Sequence, residues 1–237
     1  MDNWSALAII KQVAAELGLS VPTTIVSEDP QITQLVALLN SAGNELTLYY
    51  PWEQFIKFHT FTTSNGVDGY AVPTDWLYYI DQTQWTASGG MELIGPKSPQ
   101  EWSRLKGGVS ANTGMRYRVF QGKIQLQPAP TATARTINIE YIKCNWVLKT
   151  GGTASESTLA TQDTDNVQFH PWLMAKFLKL KFYELKGFDT TAAKADFMRM
   201  FLTLTGKDKG APILTLVPQI SSGLIGPGSI PEGSWVV

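Results

Sequence analysis

The sequence predicts an α+β fold, in which a helical domain built from both ends of the chain carries an inserted antiparallel β-rich domain and an extended C-terminal arm. Three observations predict it. Amphipathic helical periodicity is confined to the two ends of the folded part, before Trp52 and after about residue 165. Between them the pattern changes to aromatic and β-branched residues with period-two alternation. Residues 207–237 then combine repeated prolines with many apolar residues, which fits neither a helix nor a solvated linker. The expected divisions are therefore 1–52 with 165–206 for the helical domain, 53–164 for the insert and 207–237 for the arm.

The first helix is expected over about residues 4–17, with Ala6, Leu7, Ile10, Val13, Ala14 and Leu17 on one face and Gly18 as its stop. A second starts at Pro30 behind the capping Asp29, with Ile32, Leu35, Val36, Leu39, Ala42 and Leu46 as its stripe. These two helices should pack on each other. Residues 55–63 read as a strand followed by an Asn65-Gly66 turn. After Pro73-Thr74, Asp75 is placed to cap a short helical stretch toward Tyr79. Ser98 and Glu101 form a capping box that opens a short helix, closed by Gly107-Gly108. Residues 116–119 and 123–127 alternate on either side of Gln121-Gly122, which predicts a hairpin with its turn type left open. Ile137, Ile139 and Tyr141 alternate against Asn138 and Glu140, and a Gly/Ser/Thr-rich loop is expected from 150 to about 164.

Two helices close the folded part. In the first, about 171–186, apolar residues cover more than half the circumference, so it should be covered on more than one side. Lys176, Lys179, Tyr183 and Lys186 share its remaining arc. The second, about 191–204, carries Ala193, Phe197, Met200, Phe201 and Leu204 on one face and should end at Gly206. Beyond it, Pro212, Pro218, Pro227 and Pro231 punctuate the arm. Its apolar residues Leu214, Leu216, Ile220, Leu224, Ile225 and Trp235 are candidate anchors on a partner.

Composition restricts function. With 237 residues, 43% hydrophobic and 16% charged, the chain can bury a sizeable core. Its 19 basic and 20 acidic residues give a net charge of -1, without the basic excess of a free-standing nucleic-acid binder. Cys144 is the only cysteine, so neither an intrachain disulfide nor a Cys-rich zinc site can form. No signal-peptide pattern opens the chain, and no apolar run nears the roughly 18 residues of a membrane span. These features fit a soluble protein made in a reducing cytoplasm.

Catalytic constellations are sparse. His59 lies in a strand pattern, where packing is the simpler role. Asp163, Asp165 and His170 could hold a divalent metal for hydrolysis, but two aspartates in a polar loop before a helix N-terminus are more simply read as loop and cap groups. No nucleophile elbow, zincin helix or phosphate-binding loop occurs. Lys176, Lys179 and Lys186 could line a DNA channel or form a solvated face. The tryptophans, among them Trp52, Trp76, Trp85, Trp102, Trp146 and Trp172, could stack on sugars or anchor a protein interface, unless they are core.

The order of local motifs resembles the head-to-tail adaptor, or connector, proteins of short-tailed bacteriophages over about residues 6–206. The resemblance is carried by Glu16-Leu17-Gly18-Leu19, Val21-Pro22, Trp52, Tyr70-Ala71-Val72-Pro73-Thr74-Asp75-Trp76 and Asp81-Gln82-Thr83-Gln84-Trp85. It continues through Leu93-Ile94-Gly95-Pro96-Lys97-Ser98-Pro99-Gln100-Glu101-Trp102, Tyr117-Arg118-Val119, Tyr141-Ile142, Trp146, Asp163-Thr164-Asp165 and Lys186-Gly187-Phe188-Asp189. It implies a structural virion protein at the head-tail junction, without catalytic residues or cofactor. It further implies a homo-oligomeric ring, typically dodecameric, between the portal protein and a tail nozzle or tube protein, with DNA passing through unread. Two other classes compete with it: a metal-dependent hydrolase on Asp163, Asp165 and His170, and a carbohydrate-binding tail module using exposed tryptophans.

Overall fold

A computed structural model describes residues 4–80, 83–87, 93–108, 114–131, 134–149 and 155–208. The arm residues named above, Leu214, Leu216, Ile220, Leu224, Ile225 and Trp235, lie outside the described residues.

The helices are α1 (Ala6–Leu17), α2 (Pro30–Tyr49), α3 (Pro99–Gly107), α4 (Pro171–Lys186) and α5 (Thr191–Asp208). α1 starts two residues later than expected, because Ser5 caps it from outside. Ser5 accepts a hydrogen bond from the Ala8 amide at 3.2 Å, and Gly18 leaves α1 with φ 69°. Asp29 caps α2 by accepting from the Gln31 amide at 2.8 Å. Ser98 and Glu101 close both halves of the capping box of α3.

The strands are β1 (Ile56–Thr62), β2 (Gly69–Ala71), β3 (Trp76–Tyr79), β4 (Trp85–Thr86), β5 (Arg116–Phe120), β6 (Lys123–Gln127), β7 (Thr136–Lys143), β8 (Val147–Lys149), β9 (Ser155–Ser157) and β10 (Asn166–Val167). All their pairings are antiparallel, so the fold is α+β as predicted. They form three sheets: β7 between β1 on one side and β3 and β4 on the other, β6 between β2 and β5, and β8 between β10 and β9. The β5–β6 hairpin turns on Gln121 (φ 50°) and Gly122 (φ 69°), the two positive φ values of a type I′ turn. Asn65-Gly66 also turns, yet it makes no hairpin: β1 pairs with β7 and β2 with β6, so this turn carries the chain from one sheet to another.

Two apolar clusters result. The helical one buries Ile9, Ile10, Val13, Leu35, Leu39, Leu46, Leu173, Leu178 and Phe177, and it also takes in Trp146, Val147 and Ala160 from between residues 53 and 164. Each large side chain fully buried there contributes roughly 1.5–3 kcal/mol. The second cluster lies among strands and buries Tyr117, Ile124, Leu126, Ile137 and Ile139. Strand β7 joins them: Ile137, Ile139 and Tyr141 face the second cluster, and Ile142 enters the first.

Four expectations need correction. First, α1 and α2 touch only briefly, and both pack on α4. An apolar surface over more than half of α4 makes it the middle of the bundle, with α5 covering it as well. Second, residues after Asp75 form strand β3 rather than a helical stretch, because β7 offers a ladder for Trp76, Tyr78 and Tyr79. Third, the polar stretch 150–164 contains strand β9, whose Ser155, Glu156 and Ser157 pair with β8. Fourth, α5 passes through Gly206 to Asp208. A glycine inside a helix costs only about 1 kcal/mol, and the last turn is tied down where Asp208 accepts from the Glu53 amide at 3.1 Å.

Candidate assembly surfaces and the ionic seam

The proposed hydrolytic residues are built into the loops. Asp163 accepts from the Ile25 amide at 2.6 Å and the Thr24 hydroxyl at 3.1 Å, which ties the α1–α2 connection to the far end of the chain. Asp165, almost fully buried, accepts from the amides of Thr161 (2.6 Å) and Gln162 (2.9 Å) and from Lys149 (2.6 Å). Burial would raise its pKa, but Lys149 and the two amides outweigh burial and lower it. His170 opens α4, and its pKa is lowered by burial and by Lys207. Among the described residues no group of three or more His, Cys, Asp or Glu side chains is placed to hold a metal. His59, the other imidazole, lies on β1 with Nδ1 3.0 Å from the Tyr79 hydroxyl.

The lysines of α4 bind the bundle together. Lys179 donates to Glu16 on α1 at 3.0 Å, Lys176 lies 3.6 Å from Asp196 on α5, and Lys181 pairs with Glu45 on α2 at 2.7 Å. Lys186 sits over the Phe182 ring at 5.4 Å. These contacts are partly exposed, and each is worth about 0.2–1 kcal/mol.

The tryptophans separate cleanly. Trp52, Trp102 and Trp146 are buried, while Trp4, Trp76 and Trp85 are half-buried. Trp172, 42% exposed and 5.2 Å from Trp4 between ring centroids, is the one exposed tryptophan among the described residues. Trp146 lies against Gly43, where a Cβ would overlap the indole. It also donates to Asn44 (3.1 Å) and the Thr158 carbonyl (2.9 Å).

Where the strands meet the helical core, a chain of ionic contacts forms. Lys57 donates to Asp75 and Glu156, both at 2.8 Å. Glu156 also accepts from Lys143, whose side chain is only 5% exposed and donates to Gln168 at 2.9 Å. Tyr141 donates to Asp75 at 2.8 Å. Burial disfavours the charge on Lys57, yet its bonds to Asp75 and Glu156 outweigh burial and raise its pKa. Burial likewise pushes Asp75 and Glu156 upward, and the lysines override it to hold both below the ordinary carboxylate range. Burial and the Asp75 carboxylate push Tyr141 up to about 12. This seam was not anticipated from sequence, although one signal existed: Lys143 continues the inward phase of Ile137, Ile139 and Tyr141, where a lysine needs an acidic partner.

The outer surface carries apolar groups without a covering. Phe58 on β1 is 73% exposed, and Leu48 near the end of α2, Leu185 near the end of α4, Phe188 just after it and Leu202 within α5 are also exposed. Between β3 and β5 runs a cleft of about 360 Å³ lined by Trp76, Tyr78, Tyr79, Tyr117, Lys97 and Arg118. No helix among the described residues is long and apolar enough to cross a membrane.

Among the described residues, many charged groups are paired within the chain and several large apolar groups are left exposed. The family model of the SU10 adaptor protein matches residues 4–212, and the chain belongs to that family. The match agrees with the resemblance to phage head-to-tail adaptors. No curated protein matches the chain.

Proposed function

We propose that the protein is a structural virion subunit that forms a closed ring, dodecameric as in the adaptors it resembles, between the portal protein and a tail protein. The adaptor-family match over residues 4–212 carries this reading. Supporting it, the described residues close their own helical core while leaving Phe58, Leu48 and Leu202 to solvent, as expected of a subunit whose neighbours cover them. The arm from about Gly210 supplies further apolar residues, Leu214, Leu216, Ile220, Leu224, Ile225 and Trp235, as anchors on a neighbouring subunit or the portal. DNA passes through the ring without being read, and Lys176, Lys179 and Lys186 belong to its channel or solvent face. The apolar breadth of α4 is covered within its own chain by α1, α2 and α5.

The hydrolase and sugar-binding readings have no specific observation in their favour. Asp163 and Asp165 are committed to loop hydrogen bonds, and one tryptophan side chain is exposed among the described residues.

Native mass spectrometry of the chain with and without portal tests the proposal. A complex with a full ring of copies on the portal is expected. One or two copies per portal ring would refute it. Truncation after Lys209 should leave the melting temperature nearly unchanged while weakening association severely. Earlier unfolding with intact assembly would assign the arm to its own subunit's core.

A further inference from the structure

From the cleft between β3 and β5 we infer that each subunit receives the Pro227–Glu232 segment of a neighbouring copy's arm there. The inference rests on the ring reading above and adds the site and the segment.

The cleft has the chemistry of a proline-recognition groove. Trp76 and Tyr78, both half-buried, give it an aromatic wall, and its volume of about 360 Å³ lies at the small end of the roughly 300–1,000 Å³ of ligand pockets. Aromatic walls take proline rings well because an extended proline-rich strand is already close to its bound conformation and loses little entropy on docking.

Charge selects the occupant. Lys97 and Arg118 line the same cleft. Lys97 already lies 3.6 Å from Glu101, and the Arg118 guanidinium sits 4.4 Å over the Phe120 ring with no carboxylate within ion-pair distance among the described residues. After Lys209 the sequence has one charged side chain, Glu232, and it directly follows Pro231. In Pro227-Gly228-Ser229-Ile230-Pro231-Glu232 two prolines lead into that carboxylate. Seating Pro231 against the aromatic wall brings Glu232 to the cationic rim. Reach is ample, because the residues from Lys209 to Pro231 span roughly 70 Å when extended at about 3.1 Å each.

The test uses the full chain assembled on portal, with Ile230 replaced by the photo-crosslinker p-benzoylphenylalanine and with ¹⁵N-labelled and unlabelled copies mixed. Cross-links between labelled and unlabelled copies, mapping to the peptides of β3 and β5, are expected. Arg118→Glu should lower their yield by roughly fivefold, the scale of one partly exposed charge pair, and adding Glu232→Arg to the same chain should restore it. Glu232→Arg alone should give the same loss. Cross-links that fall only on portal, only on the helical bundle or only within one copy would overturn the cleft assignment and leave the adaptor reading standing. A parent chain that fails to join the portal at all would refute both.

Discussion

The helical core and the strand core of this chain are held by different means: one is closed around its aromatic groups, and the other has an open cleft beside it. In the helical core the contacts are close: Gly43 is small so that the Trp146 indole can lie against α2, and the indole N–H finds both its acceptors inside the chain. The strand core is smaller. It leaves Trp76 Nε1 without an acceptor among the described residues and opens a cleft at its edge. Between them stands the seam of Lys57, Asp75, Lys143 and Glu156, which fixes their relation by paired charges rather than by area.

The largest effect should come from emptying the helical core. Trp146→Ala removes a fully buried ring and two hydrogen bonds and should cost about 3–5 kcal/mol. We expect the loss in the transition that reports the helices, with the strand core melting later. A single shared transition, shifted as a whole, would show that the two cores do not act separately.

Breaking the seam comes next. Lys143→Ala leaves Gln168 without its partner and Glu156 with Lys57 alone, at a cost of about 3 kcal/mol. Urea unfolding measures it, and a change under about 0.5 kcal/mol would mean that the seam contributes nothing net.

Two glycines sharpen the contrast in sign. Gly43→Ala forces a Cβ into the Trp146 ring and should destabilise by about 1–3 kcal/mol. Gly206→Ala, in open space on α5, should stabilise by up to about 1 kcal/mol. Equal effects at the two positions would contradict the packing described here.

Acid should act through the seam as well. Asp75 and Glu156 are held below their ordinary values of 3.8 and 4.5, so their contribution is present above those values and is lost as pH falls through the lower folded ones. Stability should therefore decline below about pH 4.5, and Asp75→Asn should flatten that decline. An unchanged slope in the variant would place the acid sensitivity elsewhere.

The smallest effect is expected at the α4 lysines. Lys176→Ala and Lys179→Ala each break one partly exposed pair and should change stability by less than about 1 kcal/mol. If these residues also face passing DNA, the variants should assemble normally while the salt dependence of DNA release changes.

The sequence by itself determined the elements whose signals are local. Helix caps at Asp29 and Ser98, the αL glycines after α1 and α4, the Gln121-Gly122 hairpin and the inward phase of β7 all depend on residues within a few positions of one another. The family resemblance was legible for the same reason, since it is a string of such local motifs. Tertiary structure decided whatever required a distant partner. Asp75 was read as a helix cap, but Lys57 and Tyr141 claim its carboxylate and β7 draws the following residues into a ladder. The polar residues of β9 became a strand because β8 offered an edge and Lys143 needed Glu156. Likewise α4, and not the pairing of α1 with α2, organises the bundle, because the widest apolar surface loses the most by staying in water. Strand partners, ion pairs and the cleft between β3 and β5 are set by which segments meet in space, and hydrophobic periodicity along one segment carries no record of its partner.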